Sequence, residues 1–197
     1  MIQIIPIILN LLTVLIVAII TIFMFRRDGK WAFANILRPL RYFTFISNLV
    51  LALGALLITI FPNVYPIWIL KYAGVVGITI TMLTVLVFLG PKLSYRRVLE
   101  GRDFWLHLVT PILGIVSFTV FERREMPVWA AALGIVQVVV YGIVYAYKVL
   151  YAPAGKKWDD IYGFNKGGKW GIAVVLMLGA TMLICAGYWA LMFFFAK

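Results

Sequence analysis

The chain has 197 residues, of which 64% are hydrophobic and 13% are charged, whereas soluble domains contain roughly 45–50% apolar and about 25% charged residues. This composition excludes an ordinary soluble domain and predicts a membrane protein. The single cysteine and single histidine exclude an intramolecular disulfide and any cysteine-based or multi-histidine metal site, so no metal or other cofactor is expected. The net charge of +11 lies mainly in short connections between apolar segments, which indicates anionic lipid headgroups rather than nucleic acid as its partner.

Six apolar segments reach the length of about 20 residues that a transmembrane helix needs. They are Ile2–Phe25, Phe43–Phe61, Ile67–Leu89, Phe104–Phe121, Val128–Leu150 and Trp170–Ala196. The first lacks a preceding basic region and a small-residue cleavage site, so we expect a retained helix rather than a signal peptide. We therefore predict an all-α polytopic membrane protein, in which residues 1–197 form a single transmembrane domain built as one bundle of six helices.

The basic residues are distributed unevenly between the two sides of such a bundle. Most lie in the first, third and fifth connections: Arg26, Arg27, Lys30, Arg38, Arg41, Lys92, Arg96, Arg97, Arg102, Lys156, Lys157, Lys166 and Lys169. The opposite side has Arg123, Arg124 and Lys197. The positive-inside rule thus predicts a multipass protein of the cell membrane with these three connections in the cytoplasm and both termini outside. Lys71 and Lys148, near the ends of apolar segments, are expected to snorkel to the interface.

The only histidine, His107, lies near the start of the fourth segment, in the stretch DFWLHLVTP. Histidine exchanges protons near neutral pH, and ionisable residues in membrane segments often mark functional sites. Asp103, one turn earlier on the same face, would accept a ring N–H and fix the tautomer. Pro111 has no N–H and is expected to leave the His107 carbonyl unpaired and to bend the helix. The alternative is a histidine that anchors a helix end among headgroups.

The first polar residues of the second segment are Thr44, Ser47 and Asn48, and Arg41 precedes them. In an alternating bundle the second and fourth segments start on the same side, so Thr44 and His107 are expected at similar depths, roughly 3–6 Å below the interface. A hydroxyl beside an imidazole is the minimal pair for nucleophilic acyl chemistry, because the base removes the hydroxyl proton during attack. A threonine bonded to its own helix backbone is the alternative.

Other residues are candidates for supporting roles around this pair. Asp103 would orient His107, as the carboxylate does in a catalytic triad. Ser47 or Asn48 would donate hydrogen bonds to a developing oxyanion. Arg41 would bind a substrate that carries a free carboxylate.

The fifth segment carries a polar stripe that is expected to face the bundle interior. Tyr141 and Tyr145 are one turn apart and follow Gln137. Such a stripe either contacts a substrate or joins helices. Glu122 is expected to belong to a charged turn. Asp159 and Asp160 could form a cation site, but two adjacent carboxylates point apart on a helix, which favours a solvated loop.

Two segments, RYFTFISNLVLALGALL and FWLHLVTPIL, resemble the androgen-induced and androgen-dependent (ADTRP) family of multipass membrane threonine hydrolases and its bacterial relatives. In that family an aromatic-rich segment with a basic residue and Thr-Phe opens the second helix, and a histidine shortly before a proline opens a later one. The family threonine matches Thr44 and the family histidine matches His107. The resemblance implies a threonine nucleophile and a histidine base that cleave fatty-acid esters of hydroxy fatty acids.

The similarity extends from about Arg38 to Phe164. Trp158–Phe164, with the sequence WDDIYGF, is similar to a family segment that is richer in proline, and those prolines are absent here. Asp103, Ser47 and Asn48 have no part in the family pattern.

Two other classes of protein fit the same composition. A small-molecule or lipid transporter or binding scaffold would use the same polar residues to line a passage, although the paired halves with matching broken helices that many transporters have are not evident. A purely structural membrane protein would leave His107 and Asp103 without a role.

Overall fold

The computed structural model describes residues 4–27, 30–31 and 38–196. Within them, six helices are long and apolar enough to cross a membrane: α1 (Ile4–Phe25), α2 (Phe43–Ile60), α3 (Tyr65–Leu93), α4 (Arg102–Phe121), α5 (Val128–Tyr151) and α6 (Trp170–Phe195). The predicted all-α bundle of six helices is confirmed. The largest difference in bounds is at the end of α3, predicted at Leu89 and found at Leu93. Ile2 and Lys197 lie outside the described residues.

Short structures occupy the connections between these helices. A minimal antiparallel ladder follows α1 and joins β1 (Arg26–Arg27) to β2 (Lys30–Trp31). A 3₁₀ turn, Pro39–Arg41, precedes α2, and a single α-helical turn, Tyr95–Val98, lies between α3 and α4. The connection from α5 to α6 includes the 3₁₀ turn Lys166–Gly168.

The bundle is centred on the contact between α2 and α3, which is made close by two glycines. A Cβ added to Gly54 would lie 2.6 Å from the Lys71 Cα, and one added to Gly74 would lie 2.6 Å from the Leu51 Cα. Small residues allow helix backbones to approach in this way within a membrane. Around the pair, α1 packs against α2 and α4, while α5 and α6 pack against α3.

Four stretches of the described helices have π-helical hydrogen bonding. One lies in α3 (Thr84–Leu89), two lie in α4 (Trp105–Val109 and Ser117–Phe121), and one ends α5 (Tyr147–Tyr151). Such turns insert an extra residue into the helical repeat and are frequent at functional sites. The first π turn of α4 contains His107.

Lys71 does not reach the membrane surface, so the snorkelling predicted for it is wrong. Its side chain is 0% exposed and forms a salt bridge with Glu122. Its Nζ also lies 2.5 Å from the Asn10 Oδ1 and 3.0 Å from the Ser117 Oγ. Glu122, predicted only as part of a charged turn, completes this cluster by accepting from Asn10 Nδ2 at 2.7 Å. The four residues join α1, α3 and α4 at the end of the bundle opposite to the start of α2.

Candidate active site

The structure brings Thr44 and His107 together at the end of the bundle where α2 and α4 begin. Tyr42 is the N-cap of α2, so Thr44 lies in the first helical turn. Thr44 Oγ1 lies 3.3 Å from His107 Nε2. This separation is slightly longer than a typical hydrogen bond, as is common for catalytic pairs without substrate.

The other ring nitrogen of His107 establishes which tautomer is present. Nδ1 lies 2.7 Å from the carbonyl oxygen of Val98. A carbonyl only accepts, so Nδ1 carries the proton, and in the neutral ring Nε2 is free to accept from the Thr44 hydroxyl. Val98 ends the helical turn between α3 and α4, which is bracketed by Ser94 and Gly101, both with positive φ (81° and 59°).

The role predicted for Asp103 is wrong, because a backbone carbonyl occupies the position expected for its carboxylate. Both nitrogens of His107 have other partners, and no hydrogen bond joins Asp103 to His107 among the described residues. The prediction assumed an α-helical spacing of four residues. The π turn that begins at Trp105 changes the direction in which His107 points relative to Asp103.

Pro111 also affects the hydrogen bonding that follows this π turn. In the π turn the Thr110 N–H bonds to the carbonyl five residues earlier. In the same register the residue that would donate to the Leu106 carbonyl is Pro111, which has no N–H. In this register the carbonyl of Leu106 has no backbone donor. Asn48 Nδ2 donates to it at 3.1 Å.

Asn48 and Ser47 are wrongly predicted as oxyanion donors. Asn48 is buried, its Nδ2 also donates to the Thr44 carbonyl at 2.8 Å, and its Oδ1 accepts from the Thr110 hydroxyl. Ser47 is buried too, donates to the same Thr44 carbonyl at 3.1 Å and contacts Thr81 at 3.0 Å. Both side chains thus hold helices together and position Thr44.

A cavity of about 320 Å³ lies beside Thr44, near the lower end of the roughly 300–1,000 Å³ typical of ligand pockets. Its walls are the start of α2, the second half of α3, α5, α6 and the connection between α5 and α6. The residues that line it are Phe43, Thr44, Ile80, Thr81, Thr84, Val85, Leu89, Val138, Val139, Tyr141, Gly142, Ile143, Tyr145, Ala146, Tyr162, Phe164, Trp170, Val174, Met177 and Leu178. The lining is almost entirely apolar, and His107 lies outside it, behind Thr44. This shape suits a hydrocarbon chain whose polar end reaches Thr44.

Tyr141 and Tyr145 both line this cavity, as a substrate-contacting stripe would, while their hydroxyls bond to protein groups. The Tyr141 hydroxyl donates to the Arg41 carbonyl at 2.7 Å, and the Tyr145 hydroxyl donates to Asp160 Oδ1 at 3.1 Å. Asp160 also accepts from the backbone N–H groups of Phe164 and Asn165. Asp160 is half-buried in this connection and joins it to α5 through Tyr145.

Tyr162 is a site residue that sequence reasoning missed. Its hydroxyl oxygen accepts the Phe43 N–H at 2.9 Å, directly before Thr44. Burial raises the pKa of Tyr162, so the hydroxyl keeps its proton at neutral pH. The first-turn N–H groups of a helix lack intrahelical acceptors. The sequence therefore indicates that a group outside α2 must accept from its first N–H groups, but it does not indicate that this group is Tyr162.

Arg41 ends the 3₁₀ turn that precedes α2 and is not among the residues that line the cavity. Its guanidinium lies over the Tyr42 ring, 5.0 Å from the centroid, and Nη2 donates to the Tyr42 hydroxyl at 2.8 Å. Its buried Nε has no hydrogen-bond partner among the described residues. Contact between Arg41 and a substrate carboxylate stays a prediction.

No family model, curated protein or solved structure matches this chain. Within the described residues, no group of three or more His, Cys, Asp or Glu side chains is arranged to hold a metal ion.

Proposed function

We propose that this protein is an intramembrane lipid-ester hydrolase with Thr44 as the nucleophile and His107 as the general base. One observation carries the proposal. The Thr44 hydroxyl lies on the wall of an apolar cavity and 3.3 Å from an imidazole nitrogen, and the opposite nitrogen is tied to a carbonyl in the tautomer that a base requires.

The reaction would proceed in two steps. His107 Nε2 takes the Thr44 proton while Oγ1 attacks the ester carbonyl; the tetrahedral intermediate then expels the alcohol, which receives that proton from Nε2. Water next gives a proton to Nε2 and attacks the acyl-threonine. Collapse of the second intermediate releases the fatty acid and returns the proton to Thr44.

The oxyanion requires donors other than Ser47 and Asn48. Two polar hydrogens are candidates: the backbone N–H of Thr44, in the first turn of α2, and the hydroxyl of Tyr162, which lines the cavity and whose oxygen lies 2.9 Å from the backbone N of Phe43, the residue before Thr44. A helix N-terminus also favours negative charge. We assign oxyanion stabilisation to these two groups.

The substrate is a lipid ester whose acyl chain occupies the cavity. The family resemblance points to fatty-acid esters of hydroxy fatty acids, and a free carboxylate on such a substrate would meet Arg41 at the start of α2. With the long basic connections in the cytoplasm of a cell, the site lies near the cytoplasmic leaflet, where anionic lipids attract those connections.

A fluorophosphonate probe tests this proposal in membranes that contain the protein. We expect labelling of the wild type, with the adduct on Thr44 by peptide mass spectrometry, and no labelling of Thr44→Ala or His107→Ala. Thr59→Ala is the matched control, because Thr59 lies at the other end of α2 and donates only to the Ala55 carbonyl. Wild-type labelling of Thr44→Ala would overturn the assignment.

The cavity by itself favours a second candidate, a lipid-binding or transport scaffold without catalysis. Its test is the hydrolysis of long-chain esters. Turnover no faster than in empty membranes, together with retained fatty-acid binding, would favour the scaffold over the hydrolase.

A further inference from the structure

We propose that lipid substrates enter the cavity from the bilayer through a gap between α5 and α6, and that Gly142 determines which acyl chains are admitted. This inference rests on the proposed function for its substrate class. The route of entry stands on separate observations.

The first observation is the side on which the cavity opens. Most lining residues from α2, α3 and the α5–α6 connection are buried or half-buried. In contrast, Gly142 is exposed, Ile143 is 66% exposed and Val174 is 36% exposed. These three residues belong to α5 and α6, so the opening lies between those helices.

The second observation is the chemistry around that opening. Its outer neighbours on the two helices, Val140, Val144 and Val175, are large exposed aliphatic side chains. Both helices have the length and hydropathy of membrane spans. At 1.5 Å per residue, Gly142 lies roughly 13 Å from the α5 end at Tyr151, within the hydrocarbon core of a bilayer. The opening therefore faces lipid tails rather than water.

The third observation is that no close helix contact requires the glycine at position 142. A Cβ added there would meet nothing within 4 Å, whereas one added at Gly54 or Gly74 would collide with a neighbouring backbone. Glycine in a helix interior costs about 1 kcal/mol relative to alanine. A missing side chain at this point keeps the gap open for a chain passing into the cavity.

The test compares Gly142→Leu with Gly187→Leu, using 4-nitrophenyl butyrate and 4-nitrophenyl palmitate as substrates. Gly187 lies on α6, outside the cavity, and an added Cβ there also meets nothing within 4 Å. We expect Gly142→Leu to lose palmitate hydrolysis by about tenfold or more while it retains butyrate hydrolysis, because filling a pocket discriminates by chain size. Gly187→Leu should match the wild type. Equal palmitate hydrolysis by both variants would overturn the role of Gly142.

A photoactivatable palmitate bearing a diazirine separates entry from catalysis, since it needs no turnover. In Thr44→Ala, crosslinks should map to α5 and α6 and should disappear when Gly142→Leu is added. If crosslinks form but the fluorophosphonate does not label the wild type, lateral entry through the gap would be supported and the hydrolase proposal would be refuted. Crosslinks confined to the connection between α5 and α6 would refute lateral entry.

Discussion

His107 is oriented by a main-chain carbonyl in a position where many hydrolases use a carboxylate. The Val98 oxygen holds Nδ1, and Thr44 faces Nε2. This arrangement fixes the tautomer without placing a negative charge beside the imidazole. In the proposed mechanism, groups on α2 and on the connection that covers the cavity would stabilise the substrate oxyanion.

At the residue scale, the variant Tyr162→Phe tests whether the Tyr162 hydroxyl donates to the oxyanion or the Tyr162 ring only packs against its neighbours. Loss of the hydroxyl should lower kcat by about 10²–10³-fold, the range for removal of one such donor, with a smaller change in KM. Steady-state kinetics with a lipid ester measures both constants.

Two variants serve as controls for that experiment. Asp103→Asn changes a carboxylate that neither ring nitrogen contacts, and Tyr188→Phe removes a hydroxyl that pairs with Thr79. Both should keep kcat near the wild-type value. A large loss in Asp103→Asn would instead restore the triad interpretation.

The sequence predicts the Thr44–His107 juxtaposition because helix depth follows directly from residue count. It does not predict Val98, since the orienting group is a backbone atom whose position depends on the path of a connection. Asn48 illustrates the same limit. Its polar side chain is evident in the sequence, but the Leu106 carbonyl that accepts from it lacks a backbone donor only because a π turn is followed by Pro111.

At the scale of elements, the Lys71–Glu122 pair joins α3 to the end of α4, with Asn10 of α1 bonded to both. Hydropathy predicts where these helices run, because each apolar segment is long enough to span a bilayer. Hydropathy says nothing about pairing between residues far apart in the chain. Hydropathy therefore places Lys71 at the interface and Glu122 in a charged turn, whereas the two side chains form an ion pair in the interior.

Breaking this pair should destabilise the bundle without altering the chemistry. Lys71→Met or Glu122→Ala leaves one buried charge unpaired, at a cost of about 3–5 kcal/mol. The double variant Lys71→Met with Glu122→Gln should recover part of that loss. Thermal unfolding in detergent measures the effect, with the exposed Glu125→Gln as control; equal melting temperatures for Glu122→Ala and Glu125→Gln would contradict it.

At the scale of the whole molecule, the two ends of the bundle have different characters. The proposed catalytic pair, Thr44 and His107, shares one end with the long basic connections, and the buried ion pair lies towards the other. The number of spans and the sharing of an end by Thr44 and His107 follow from the sequence. The cavity does not, because it is formed by packing among four helices and one connection.

Labelling with a membrane-impermeant maleimide tests the orientation of the molecule. The only native cysteine, Cys185, is buried, so we expect the maleimide to label only a cysteine that is introduced at the surface. In intact cells, Arg123→Cys should be labelled and Lys157→Cys should be labelled only after permeabilisation, as the positive-inside rule requires. The reverse pattern would move the site to the outer leaflet.

The carbonyl of Val98 has a consequence for how this protein tolerates change. A main-chain oxygen is present whatever side chain occupies position 98, so an alanine scan would pass over the group that aligns the imidazole. The constraint lies instead in the path of the chain, at the positive φ angles of Ser94 and Gly101. Replacement of Gly101 by a β-branched residue would strain that path and turn the ring of His107, although neither Ser94 nor Gly101 belongs to the proposed reacting groups.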